Sequence, residues 1–199
     1  MKQETLYQRL RENIAATITI NQEQMDLILK YFKWYEVKKN KIILSAGETN
    51  QWMNFVGYGC LRIFFIKDDG QEVTRYLAFE HMFATGLASF ITQQPSFEYL
   101  QAMEDTQLLR ISRTDFYYLL SIIPAWEKFF RDYLSDAYIN NLEIFHRETT
   151  KDAEDRYREL LHKYPTVVQR LPNKIIASYL NMSPETLSRM KRKILNLSK

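Results

Sequence analysis

Apolar residues recur every three or four positions at the two ends of the chain, and they follow a shorter period in the middle. Residues 2–13 and 21–33 have helical spacing, and Asn21 precedes the second segment as a capping residue. Between residues 34 and 113, short β-branched and aromatic runs alternate with turn-forming residues. The runs cover residues 42–44, 52–56, 60–66, 72–79 and 107–111. This pattern predicts two helices followed by an antiparallel β-sandwich or barrel.

Turn residues and an irregular segment divide the β-rich part. Asp68-Asp69-Gly70 predicts a hairpin between strands 61–66 and 72–77. Residues 83–91 interrupt the strand pattern, and we expect a short helix or a loop there.

The helical period returns after Ser112. Residues 114–123 predict a helix that ends at Pro124, and a long helix over 125–149 and a charged one over 152–164 follow. We expect the long helix to pack against its twin in a two-fold dimer, although burial on its own subunit is the alternative. The stripe expected at this interface consists of Phe130, Tyr133, Ala137, Asn141 and Ile144.

Residues 171–193 predict two short helices joined by a tight turn. Asn181 suits the turn because asparagine tolerates left-handed backbone angles, and Ser183 suits the cap of the second helix. The apolar faces that would pack together consist of Ile175, Ile176, Ala177, Leu180, Leu187 and Met190. A polar, basic second helix in this arrangement indicates a DNA-reading helix-turn-helix. The alternative is a helical hairpin whose basic face is only solvated.

The charge distribution favours the DNA-binding interpretation. The formal net charge is +3, but residues 1–150 hold 16 basic and 19 acidic residues, whereas residues 151–199 hold 11 and 5. The positive charge therefore coincides with the predicted helix-turn-helix, as a phosphate-binding surface requires.

Composition excludes several other classes. No apolar run is long enough for a membrane span, the amino terminus lacks the apolar core of a signal peptide, and we expect a cytoplasmic protein without membrane contact. Cys60 is the only cysteine, which excludes an internal disulfide and a four-cysteine iron–sulfur cluster. A cupin-like enzyme would need clustered metal ligands, yet only His81 falls in the β-rich part. His146 and His162 lie on charged helices, and no haem ligand pair is evident, so we expect no cofactor, no metal and no catalysis.

The order of β-rich segment, long helix and helix-turn-helix resembles the Crp/Fnr family of bacterial transcription regulators. The most specific match is residues 176–189, with alanine in the first helix and Glu-Thr-Leu-x-Arg in the second. Weaker matches are the turns at Gly47 and residues 56–59 and the segment 102–109, which resembles a strand near the end of the family's β-roll. The resemblance covers nearly the whole chain.

The resemblance implies an α+β fold in three parts. Residues 1–123 would form an antiparallel, jelly-roll-like β-roll (a double-stranded β-helix) flanked by helices, the cyclic-nucleotide-binding-like sensor. Residues 124–150 would form a dimerisation helix, and residues 151–199 the helix-turn-helix domain. Double-stranded DNA, a second copy of the chain and RNA polymerase are the implied partners.

The family's DNA contacts can be placed on this sequence residue by residue. Base-edge contacts would fall to Glu185, Ser188 and Arg189, which suits an arginine reading guanine and a glutamate accepting from cytosine. The implied backbone contacts are Lys174, Ser183, Thr186, Lys191, Arg192 and Lys193. The family often has arginine directly before the glutamate, and Pro184 stands there instead.

The sensor part departs further from the family. Members that bind cyclic nucleotides carry Phe-Gly-Glu and, about ten residues later, Arg-Ser or Arg-Thr. The corresponding positions here are degenerate and consist of Phe83, Thr85, Ser96, Phe97 and Glu98. Because Glu98 would place a negative charge where the phosphate binds, we expect no cyclic AMP binding by this route.

The sequence thus predicts a dimeric, sequence-specific DNA-binding regulator. Its β-roll either senses an unidentified, non-nucleotide small-molecule effector or has lost sensing. The alternative function is a ligand-binding or protein-interaction β-roll whose DNA-binding domain is vestigial.

Overall fold

The structure is a computed structural model that describes the backbone of residues 3–197 and the side chains of residues 3–193. The helices are α1 (Gln3–Thr17), α2 (Gln22–Tyr31), α3 (Leu87–Thr92), α4 (Arg113–Ile122), α5 (Pro124–Thr150), α6 (Ala153–Lys163), α7 (Val167–Arg170), α8 (Asn173–Tyr179) and α9 (Pro184–Leu197). The strands are β1 (Lys33–Val37), β2 (Ile42–Leu44), β3 (Trp52–Tyr58), β4 (Leu61–Ile66), β5 (Glu72–Ala78), β6 (Phe83–Ala84), β7 (Tyr99–Ala102) and β8 (Thr106–Ser112). None of the described helices has both the length and the apolar character that a membrane span needs.

The chain divides into two compact units, and the division falls inside α5. Of the described residues, the first unit comprises 3–65 and 76–135, and the second comprises 66–75 and 136–197. The strands form two four-stranded sheets, with the orders β1-β8-β3-β6 and β2-β7-β4-β5. The pairs of β8 with β1 and β3 and of β7 with β2 and β4 are antiparallel, which confirms the predicted antiparallel β-roll.

Strand β3 is buried on both faces, which explains why Met53, Phe55 and Val56 are all apolar. Met53 and Phe55 belong to the core beneath the helices, whereas Val56 packs in the cluster between the two sheets. Alternate residues of a strand point to opposite faces, so both cores draw on the same strand.

Helices cover the outer face of the β1-β8-β3-β6 sheet. Leu6, Leu10 and Ile14 repeat every fourth residue of α1 and are fully buried in the core beneath the helices. Asn21 caps α2 as predicted, because its side chain accepts a hydrogen bond from the backbone of Gln24 and the Gln24 side chain accepts one from the backbone of Asn21.

Three local expectations change in the structure. Residues 83–91, expected as a helix or a loop, contain the short strand β6 and most of helix α3. Residues 102–109, matched above to one strand, span the end of β7, a turn and the start of β8. The connection before the helix pair contains the four-residue helix α7, which the sequence pattern did not reveal.

The second unit combines the β4–β5 hairpin tip with α6 to α9 and the carboxyl half of α5. The predicted hairpin turn is confirmed, since the Lys67 N–H donates to the Gln71 carbonyl at 2.9 Å and Gly70 has a φ of +82°. Ser178 of α8 joins the hairpin to the helices. Its hydroxyl accepts from the N–H and hydroxyl of Thr74 at 2.9 and 3.0 Å and donates to the Glu72 carbonyl at 2.8 Å.

Candidate functional site

Helices α8 and α9 are joined by a four-residue turn over residues 180–183. Asn181 has a φ of +50°, so it takes the left-handed conformation expected from its side chain. The Met182 N–H donates to the Ala177 carbonyl at 3.0 Å and closes the end of α8. The Ser183 hydroxyl accepts from the Thr186 N–H at 3.1 Å, which confirms the predicted cap of α9.

The facing sides of the two helices form a closed apolar core. Ile176, Ala177 and Leu187 are fully buried, and Leu180 and Met190 are nearly so. This packing leaves the opposite side of α9 available, because residues three or four apart share one helix face.

The residues expected to read bases lie on α9 and differ in solvent exposure. Glu185 and Arg189 are exposed, whereas Ser188 is half-buried. The Arg189 guanidinium donates to the Thr186 hydroxyl at 3.3 Å. The N–H of Glu185 itself and the nearby Ser183 hydroxyl stabilise the Glu185 carboxylate and hold its pKa below the usual glutamate value. The exposed face of α9 thus presents one ionised acceptor and one arginine fork one helical turn apart.

Two of the expected phosphate-binding lysines contact other residues of the chain. The Lys193 ammonium forms an ion pair with Glu154 of α6 at 2.8 Å, and hydrogen bonding to that carboxylate raises the lysine pKa. The Lys191 ammonium donates to the Asn173 side chain, and burial lowers its pKa. Sequence reasoning missed Glu154, which lies 39 residues from Lys193.

Lys174 and Arg192 are the exposed cations of the expected phosphate-binding set that form no ion pair within the described part of the chain. Both are exposed, and Arg192 makes only a long 3.5 Å contact from Nε to the Ser188 carbonyl. Thr186 is half-buried and exchanges hydrogen bonds with the Ser183 side chain. The helix pair therefore presents two kinds of cation, one without an ion pair and one that contacts other side chains of the chain.

In the β-roll, the two hydroxyls at the degenerate nucleotide positions are buried and bonded locally. Thr85 donates to the Trp52 carbonyl at 2.9 Å and accepts from the Asn50 amide at 2.6 Å. The Ser96 hydroxyl donates to the Glu98 carbonyl at 2.9 Å and accepts from the Glu98 N–H at 3.0 Å. Both hydroxyls are therefore used in fixing their own loops.

The remaining degenerate positions differ in burial. Phe83 packs in the core beneath the helices, with its ring 5.2 Å from that of Phe55. Phe97 is 66% exposed, and Glu98 is buried.

A buried arginine of the β-roll was also missed by sequence reasoning. Arg62 of β4 is almost completely buried, and its guanidinium lies 4.1 Å from the centre of the Phe64 ring. Phe64 in turn stacks on Tyr99 with ring centres 5.0 Å apart. The available signal was one arginine within the otherwise apolar run of residues 61–66.

Helix α5 has two apolar sides, and the expected dimer stripe lies mainly on the inner one. Phe130 and Tyr133 are partly buried against the core beneath the helices. Ala137 and Ile144 are half-buried, and Asn141 is exposed. The strongly exposed apolar residues of α5 form a different stripe, the outer stripe, which consists of Tyr138, Ile139, Leu142 and Phe145. The outer stripe lies roughly 130° around the helix from the expected one.

Comparison with known proteins agrees with this architecture. Residues 35–122 match the family model described as the cyclic nucleotide-binding domain. The fold and this match show a β-roll similar to the cyclic nucleotide-binding domain, and it is followed by a helical unit in which a short turn joins α8 and α9.

Solved structures extend the likeness to most of the chain. FixK2 from Bradyrhizobium japonicum is similar with a TM-score of 0.75 and 14% identity, over 84% of this chain and 86% of that one. The c-di-GMP responsive global regulator CLP of Xanthomonas campestris has a TM-score of 0.71 and 16% identity, over 89% and 93%. A Crp/Fnr family transcriptional regulator from Eubacterium rectale has a TM-score of 0.70 and 22% identity, over 88% of this chain and 84% of that one. The chain therefore has the Crp/Fnr fold, which confirms the α+β architecture inferred from the sequence.

A curated relative shares only the sensor part. Patatin-like phospholipase domain-containing protein 6 from Homo sapiens is 25% identical over 122 residues, which cover 61% of this chain and 9% of that protein. The match is confined to the cyclic nucleotide-binding part, so it carries no phospholipase assignment to this chain.

Proposed function

We propose that this protein is a dimeric transcription regulator that recognises a specific DNA sequence through α9. The observation that carries the proposal is the exposed Glu185 and Arg189 on a helix whose opposite side is packed on α8. An arginine can donate two hydrogen bonds to guanine, and a glutamate can accept one from cytosine. The exposed cations Lys174 and Arg192 supply the sequence-independent attraction to phosphates.

Selection from random duplex DNA tests this proposal. Wild-type protein, Arg189→Ala and the control Lys39→Ala are compared at near-physiological salt, since Lys39 is an exposed cation of the first unit. We expect a two-fold-symmetric motif from the wild type and the control. Arg189→Ala should lose about 1–3 kcal/mol on that motif with little change on random DNA. Equal losses on cognate and random DNA would remove the base-reading role of Arg189.

The ion pair between Lys193 and Glu154 leads to a second prediction, which concerns non-specific binding to DNA. Because Glu154 competes with phosphate for Lys193, Glu154→Gln should raise affinity for all sequences similarly. Lys193→Ala should lower it similarly for all sequences. A change confined to the selected motif would assign Lys193 to base reading instead.

We infer that the second copy of the chain pairs through the outer stripe of α5. Four large exposed apolar side chains on one helix face are unusual on a soluble monomer. Pairing of the same face on two copies would bury them, which is the common two-fold arrangement.

We further propose that the β-roll does not bind cyclic AMP through the degenerate positions. Thr85 and Ser96 use their hydroxyls locally, and the family resemblance would put the buried Glu98 at a position where a bound anion needs a positive partner. Calorimetry should detect no binding at millimolar cyclic AMP. A dissociation constant below about 10 µM, equivalent to roughly −7 kcal/mol, would refute this.

A further inference from the structure

A groove of about 1060 Å³ lies within the second unit, separate from α9 and from the β-roll. Its walls are the carboxyl end of α5, helix α6 and Tyr179, the last residue of α8. This volume is at the upper end of the range for small-molecule sites.

The groove combines positive charge with apolar surface. Four of its lining residues are Lys or Arg, two are Glu and two are His. Lys151 is neutralised by an ion pair with Glu159, and Arg158 pairs with Glu154. Leu142 and Leu160 supply the apolar surface.

Arg147 and Lys163 are the lining cations without a carboxylate partner among the described residues. The Nε atom of Arg147 is buried and has no hydrogen-bond partner among those residues. Buried donors in folded proteins are normally satisfied, so the Arg147 guanidinium retains unused donor capacity.

The Arg147 guanidinium is held in place by an aromatic ring. It lies 5.1 Å from the centre of the Tyr179 ring, within the range of cation–π attraction. Tyr179 is itself buried among the helices, so the guanidinium has a fixed support. Fixed donors bind an anion with less loss of entropy than mobile ones.

We propose that this groove binds a small organic anion that also carries an apolar or aromatic part. Arg147 and Lys163 hold the anionic group, and Leu160 contacts the apolar part. The site is independent of DNA reading, and its test uses no DNA.

The probe is 8-anilino-1-naphthalenesulfonate, an aromatic anion whose fluorescence rises on transfer from water. Its neutral analogue N-phenyl-1-naphthylamine lacks the sulfonate and reports apolar binding alone. The full chain is titrated with each probe at fixed ionic strength. We expect saturable binding of the sulfonate with a lower dissociation constant than that of the neutral amine.

Variants on the groove separate charge from apolar contact. Arg147→Met keeps length and apolar bulk, and it should weaken sulfonate binding about tenfold or more, since charged hydrogen bonds are the strong ones. Glu143→Gln removes a lining carboxylate, so it should strengthen binding by roughly threefold. Lys128→Met, on the same helix outside the groove, should change nothing.

The neutral amine should bind equally to the wild type and to Arg147→Met. Equal sulfonate binding by these two proteins would overturn the proposal, as would an equal loss of both probes or the absence of saturable binding. If Arg147→Met fails to unfold cooperatively, Lys163→Met takes its place with the same expected direction. Lys163 is exposed, so its substitution carries little folding risk.

Discussion

The outer stripe of α5 gives a quantitative prediction about self-association. Phe145 is 68% exposed in the single chain. An aromatic side chain carries about 150–250 Å² of surface, so pairing would remove roughly 100–150 Å² from water in each copy, worth about 2.5–4 kcal/mol. A two-fold interface contains the residue twice. Even half of the total, about 2.5–4 kcal/mol, should raise the dimer dissociation constant about 70- to 900-fold in Phe145→Ser.

Sedimentation equilibrium over a wide concentration range measures this change. The matched control is Phe97→Ser, because Phe97 is 66% exposed but lies in the first unit. We expect the control to dimerise as the wild type does, and Phe145→Ser to sediment as a monomer at micromolar concentration. A monomeric wild type, normal dimerisation of Phe145→Ser, or an equal loss of the dimer in both variants would contradict pairing through the outer stripe.

Three further predictions concern the helix pair and can be tested by urea unfolding followed with circular dichroism. Leu187→Ala should destabilise the second unit by about 3–5 kcal/mol because its side chain is fully buried, and a loss below about 1 kcal/mol would contradict the packing described. Asn181→Val should lower the free energy of unfolding by about 1–2 kcal/mol because the φ of this residue is +50°, whereas Asn181→Gly should leave it nearly unchanged. Equal effects of the two substitutions would argue against a left-handed conformation at this position. The pKa of Glu185 is lower in the folded chain than its usual value. The ionised carboxylate therefore contributes to folding stability above roughly pH 4.3, and this contribution is lost as the pH falls through the folded pKa. Glu185→Gln should reduce the loss of folding stability at acid pH, and an unchanged dependence of stability on pH would contradict this prediction.

The helix pair could be predicted from sequence because its determinants are local. Asn181 and Ser183 act on neighbours within four residues, and the apolar spacing of α8 and α9 reports directly which sides meet. The hairpin at Gly70 was predictable for the same reason. Local chemistry and tertiary packing agree at these positions.

The outer stripe and the lysine pairs could not be predicted in the same way. Helix α5 is apolar on two sides, and periodicity alone does not tell which side its own core uses. Phe130 and Tyr133 fitted the helical period well, yet both pack partly against the core beneath the helices. Likewise, the partner of Lys193 is Glu154 on another helix, and no sequence pattern relates positions so far apart.

The hydrogen bonds of Ser178 have a consequence for biosynthesis. The hydroxyl binds Thr74 and Glu72, which precede it by more than one hundred positions, so the second unit is discontinuous along the chain. A fragment beginning at residue 136 would lack the hairpin that completes its hydrogen bonds. During translation the hairpin emerges from the ribosome well before α8. Until that helix is synthesised, the N–H and hydroxyl of Thr74 bond to water. Contacts of such long sequence separation are slow to form, so closure of this unit should be a late folding event.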